Sequence, residues 1–183
     1  ITFKKYTIQP KLNNCMARIK MGLYGDSFVE VWSEEKKKQK DEEHCSLETW
    51  PNIVAKKFEL DIVHSGKGGT SYWDIPLQQF SLDNVPDILI FSWTSSGRIY
   101  NKDGVHINYD SNKIWHQNEK VSEEHKKASE YYFKHIHDED KELAEYKACL
   151  YWFDQTILSQ IPSDRKIIHL WSFGHDKQDN KLS

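Results

Sequence analysis

Apolar residues recur along this chain with two periods, and the switches between them divide it into alternating strands and helices. Ala17 to Tyr24 reads as a strand that runs into a tight turn at Gly25-Asp26-Ser27. Residues 33 to 45 are charged and irregular, as expected of an exposed insertion. From Ser46 the period becomes helical. Ser46 or Thr49 can cap, Pro51 suits a first turn, and Trp50, Ile53, Val54 and Phe58 share a face. Phe58 to His64 alternates like a strand, and Ser65 to Ser71 follows as a glycine-rich turn. Thr70 or Ser71 is then expected to cap a second helix carrying Tyr72, Trp73, Ile75 and Leu77.

Ile88 to Trp93 is a short continuous apolar run, the pattern of a strand buried on both faces. Thr94 to Arg98 is a polar loop, and residues 100 to 118 read as a long loop rich in Asn, Asp, Gly and His. Two helices are predicted between Ser122 and Leu158, broken near His137 to Asp140. The second carries Leu143, Tyr146, Leu150, Phe153 and Ile157 on one stripe. Lys166 to Trp171 reads as another strand of the buried type.

Strands alternating with helices predict βαβ units, hence a central parallel sheet with helices on both faces. Ligands in such sheets bind beyond the carboxyl ends of the strands. Three polar, glycine- or serine-rich turns fall at those ends, at residues 25–27, 65–71 and 94–98, and their convergence predicts a site there.

Composition narrows this picture. The 183 residues suffice for one core and not for two ordinary domains, so the chain reads as a single domain over 1–183. It begins at Ile1 rather than Met, which leaves truncation at either end open. Seven Trp and nine Tyr are more than composition alone can divide between core and pocket wall. The net charge of −3 offers no general attraction to nucleic acid, and the run Lys36 to Lys40 is balanced by Asp41, Glu42 and Glu43. Cys15, Cys45 and Cys149 are scattered and odd in number, which points to a reducing, cytoplasmic setting. No apolar stretch is long enough to span a bilayer and no secretory signal is visible, so neither membrane nor nucleic acid is an expected partner.

A serine hydroxyl becomes a useful nucleophile only with a base and a hole for the developing oxyanion. Ser27 follows a predicted strand and precedes a turn whose backbone N–H groups can face bound oxygen. Asp26 can cap that turn or orient a partner. By itself the tripeptide is also an ordinary strand-to-helix turn. The order of the surrounding features resembles the SGNH (GDSL-like) hydrolases from residue 19 to about 100. Their first block looks like Gly25-Asp26-Ser27-Phe28, a Trp-bearing helix like 46–54 follows, and the second block is similar to Gly68-Gly69-Thr70-Ser71. That resemblance implies a three-layer, flavodoxin-like α/β domain. It also implies serine ester hydrolysis without a cofactor or metal, on an acylated carbohydrate or other small-molecule ester. Ser27 would be the nucleophile, with Gly68 and Gly69 at the oxyanion.

Two blocks depart from the family. In place of Gly-x-Asn-Asp the third reads Thr94-Ser95-Ser96-Gly97-Arg98, with Ser96 nearest the asparagine position and Ser95 beside it. A hydroxyl or Arg98 can stabilise negative charge, but neither reproduces an amide donor. The family's Asp-x-x-His is also absent after Trp171. His175, with Asp176 adjacent, is the best-placed histidine, and the alternative is a base lying beyond Ser183. A second functional reading is a catalytically degenerate binding domain that keeps the pocket. His169 reads as a strand residue, and His135 to Asp140 as a solvated helix junction rather than a metal site. The glycines at 66–69 have neither P-loop nor dinucleotide spacing.

Overall fold

The computed structural model describes residues 18–32, 48–100, 107 and 121–172. Within these described residues four strands form one sheet: β1 (Lys20–Gly25), β2 (Asp61–His64), β3 (Ile88–Trp93) and β4 (Lys166–Trp171). All pairs are parallel and the order is β2-β1-β3-β4, so β1 and β3 are central. The helices are α1 (Trp50–Phe58), α2 (Glu123–His135) and α3 (Glu139–Trp152). Among the described residues no helix is long and apolar enough to cross a membrane.

Period-two alternation along the central strands feeds two separate cores. Met21, Leu23 and Ile90 pack with Val29 and with Ala55 of α1. Tyr24, Leu89, Phe91 and Trp93 point the other way and pack with Tyr146 and Cys149 of α3 and with Phe153 beyond it. Phe153 meets Phe91 and Trp93 edge-on, with ring centroids 5.0 and 5.3 Å apart. Each such ring, fully out of water, contributes roughly 1.5–3 kcal/mol.

The helical boundaries follow local chemistry. Asp138 caps α3 by accepting from Lys141 N–H, and Ser122 caps α2 by accepting from His125 N–H. The expected break between them is present. His137 bonds Glu142 there at 2.7 Å, which holds the junction.

Three expectations need correction. The strand predicted from Phe58 begins at Asp61, because α1 runs through Phe58 and ends at Glu59, whose φ of 54° is left-handed. Phe58 satisfies both periods, so the pattern could not place the boundary. The second helix, predicted after Thr70, is a single wide turn, Ile75–Gln79. Asp74 accepts from both the N–H and the hydroxyl of Ser71, which folds the entry into a local turn, and Pro76 brings no N–H to extend it. Finally, β4 is not a doubly buried strand. Among the described residues it is the sheet edge, and Ile167, Ile168, Leu170 and Trp171 are 36–48 % exposed.

Candidate functional site

The order of strands reverses direction at β1, with β2 on one side and β3 on the other. The crevice beyond the carboxyl ends of β1 and β3 is where such sheets take ligands. The turn after β1 occupies that position. Gly25 has φ 137°, and a β-carbon there would sit 2.2 Å from the Ser92 carbonyl oxygen, so no other residue fits. Gln79 clamps it, accepting from Gly25 N–H at 2.6 Å and donating to its carbonyl at 3.1 Å. The same carbonyl accepts from Lys67 N–H at 2.9 Å and from the Thr70 hydroxyl at 3.2 Å. Thr70 therefore ties the second turn to the first instead of capping a helix.

Asp26 is completely buried. Its Oδ1 accepts from Phe28 N–H at 3.1 Å, capping the one-turn 3₁₀ segment Ser27–Val29, and from the Ser172 hydroxyl at 3.0 Å. The Ser172 hydroxyl lies 2.6 Å from that of Ser92. Asp26 Oδ2 pairs with Arg98 Nη1 at 3.5 Å, and the same nitrogen donates to the Thr70 carbonyl at 3.3 Å. Burial pulls the Arg98 guanidinium below its usual pKa, and Asp26 opposes that shift. One buried carboxylate thus joins the ends of β1, β3 and β4 and the loop after β3.

Above this network Ser27 is exposed. Gly68 lies beside it: a β-carbon at Gly68 would be 3.5 Å from Ser27 Cβ and 3.3 Å from Glu30 Oε2. Gly69 has φ 82° and completes the second turn. Ser95 Oγ accepts from Gly97 N–H at 3.2 Å, so Ser95 shapes the third turn, and Ser96 beside it is half-buried. The three predicted turns meet: Lys67 and Thr70 bond Gly25, Gly68 lies beside Ser27, and Arg98 reaches Asp26 and the Thr70 carbonyl. Arg98, however, directs Nη1 to Asp26 beneath Ser27.

His175 and Asp176 lie outside the described residues, as do Cys15, Cys45 and the lysine run. Among the described histidines, His64 Nδ1 bonds the Leu23 carbonyl at 2.8 Å, and His169 Nδ1 accepts from Trp93 Nε1 at 2.8 Å. His125 bonds Ser122 and His137 bonds Glu142. Within the described residues no hydrogen bond joins an imidazole to Ser27. Nor do any three His, Cys, Asp or Glu residues there form a group able to hold a metal ion. An open groove of about 490 Å³ lies elsewhere, along β4, lined by Asp154, Gln155, Leu158, Ser159, Ile167 and His169.

Sequence reasoning missed Gln79, Ser92 and Ser172. Ser92 did carry a signal, as the one hydroxyl in the apolar run of β3, where a buried polar group requires a partner. Family models, curated proteins and solved structures yield no match to this chain.

Proposed function

We propose that this chain is a serine ester hydrolase of the SGNH type on a flavodoxin-like scaffold. The observation that carries the reading is Ser27 itself. It is an exposed hydroxyl heading a turn at the ligand-binding end of a central strand, with Gly68 alongside and a fully buried carboxylate fixing the turn from below. The order β2-β1-β3-β4 also agrees with the first four strands of the flavodoxin arrangement.

In this reading Ser27 Oγ attacks the ester carbonyl carbon, and the carbonyl oxygen takes up negative charge facing the backbone N–H groups of Ser27 and Gly68. The C–O bond to the alcohol breaks, the serine proton passes through the base to that alcohol, and water then releases the acid from Ser27. His175 is the proposed base. It follows Ser172, whose hydroxyl bonds Asp26 at the nucleophile turn, by three positions in the sequence. The substrate is a small-molecule ester, such as an acylated carbohydrate or metabolite.

A degenerate binding domain is the second reading, favoured by Ser96 standing nearest the position where the family places an amide and by the commitment of Arg98 to Asp26. A fluorophosphonate probe separates the two. Covalent labelling of the wild type that disappears in Ser27→Ala supports the hydrolase. Absence of labelling, or labelling unchanged in the variant, sinks it. Because Ser27 is exposed, Ser27→Ala should change stability by no more than about 0.5 kcal/mol, so its loss of labelling would report chemistry rather than unfolding.

A further inference from the structure

The two outer strands of the described sheet differ in how they meet water. β2 is four residues long, its pairing with β1 slips between Met21 and Gly22, and Asp61 at its start pairs with Arg18. Short length, irregular pairing and charge are the usual devices that stop an edge from taking another strand. β4 lacks all three. It runs for six residues in unbroken register with β3, and from Ile167 to Trp171 it carries neither a fixed charge nor a proline.

The ladder shows which backbone groups look outward. Lys166 N–H donates to the Asp87 carbonyl and Ser172 N–H to the Trp93 carbonyl, so even-numbered residues of β4 turn their backbone groups toward β3. Ile167 and His169 therefore turn theirs away from the sheet, and no described residue bonds them there. On one face of the strand Ile168 is 43 % exposed and Leu170 36 %. On the other, Ile167 and His169 line the open groove that also holds Asp154 and Leu158.

These features complement themselves. A two-fold axis through Ile168, normal to the sheet, sets two copies of β4 antiparallel. Ile167 of each copy then exchanges both backbone bonds with His169 of the other, and Ile168 packs against its counterpart. The two Lys166 side chains fall at opposite ends, each beside Leu170 of the other copy, so like charges stay apart. On the groove side, His169 Nδ1 is taken by the Trp93 indole, and the donor it has left is Nε2–H. Each copy thus brings an imidazole N–H to the groove that holds the other's Asp154 carboxylate.

We infer that β4 is a dimerisation edge whose occupant is β4 of a second copy, joining the two sheets into one. The contact is independent of any chemistry at Ser27. One strand from each copy makes a small interface, under about 1,200 Å², so the dimer is weak and its population follows concentration.

The test is sedimentation equilibrium of the intact chain from about 1 to 200 µM, with amide hydrogen exchange of β4 at both limits. Mass should rise from one chain to two and stop there. The amides of Ile167 and His169 should gain protection with concentration, while those of Ile168 and Leu170 stay protected throughout. Ile167→Pro deletes an outward N–H without touching the β3 ladder, and Ile168→Lys sets two ammonium groups face to face. Each should weaken association at least about tenfold. Ile168→Lys leaves every backbone group in place, so it decides the matter if the proline variant misfolds. A single-chain mass at every concentration overturns the inference, as does a dimer indifferent to Ile168→Lys. Growth beyond two chains overturns it too, and so does protection of Ile167 and His169 in the single chain, where residues of the same chain would cover the edge.

Discussion

Both ends of the sheet are tied by an aspartate paired with an arginine, and the two pairs differ in almost everything else. At the amino end, Asp87 accepts from Lys20 N–H at 2.8 Å, its carbonyl accepts from Lys166 N–H at 2.9 Å, and its carboxylate pairs with Arg165. Its side chain is 41 % exposed and that of Arg165 29 %. At the carboxyl end, Asp26 is 0 % exposed and Arg98 12 %. Water screens the first pair, which therefore contributes little beyond its hydrogen bonds. The second pair has lost that water, so each charge depends on the other and on the hydroxyls and N–H groups around it. The amino end is a fastening. The carboxyl end is a rigid mount for whatever Ser27 does.

Breaking the two ends should show this difference. The largest effect is expected for Asp26→Ala, which removes the buried carboxylate that Arg98 Nη1, Phe28 N–H and the Ser172 hydroxyl share. Urea denaturation should record a loss of about 3–5 kcal/mol. Adding Arg98→Met should recover part of it, since a buried cation that has lost its carboxylate is worse than an apolar side chain of similar length. A double variant no more stable than Asp26→Ala would show that the pair is not coupled. The corresponding change at the other end, Asp87→Ala, should cost about 1–1.5 kcal/mol by the same assay, the value of a hydrogen bond plus a screened ion pair. A cost equal to that of Asp26→Ala would erase the contrast.

The smallest effect concerns the middle of the sheet, where His169 of β4 receives the Trp93 indole N–H from β3. Burial lowers the His169 pKa, with Asp154 opposing, so the folded protein holds a proton there less readily than the unfolded chain does. Stability should be complete above about pH 6.5 and decline as pH falls through the window between the unfolded and folded values, then level off. Thermal unfolding from pH 7.5 to 5.0 should show that slope, and His169→Gln should flatten it. A slope unchanged in the variant would assign the effect to another group.

Much of the scaffold was legible in the chain because period-two and helical spacing reflect which faces shed water. The strands around Leu23 and Ile90, the helix beginning at Trp50 and the pair of helices broken before Glu139 all carry that signal, and so do the three turns that meet beyond β1 and β3. Where two local rules agreed on one residue, as at Phe58, the pattern could not choose. Ser71 was readable as a cap, yet Asp74 three residues later captured it. β4 reads like β3, and only pairing shows that one is central and the other an edge.

Gly25-Asp26-Ser27 shows most plainly how the two sources divide. The sequence alone determined an α/β alternation, a parallel sheet and a turn with a serine at the end of its first strand, because these follow from spacing between near neighbours. The tertiary structure decided what surrounds that serine. Ser172 lies 146 residues from Asp26 and Arg98 lies 72, and no local period links positions so distant. Bringing them together requires β1, β3 and β4 to lie side by side, so the burial of Asp26 beside Ser27 belongs to the fold rather than to any motif.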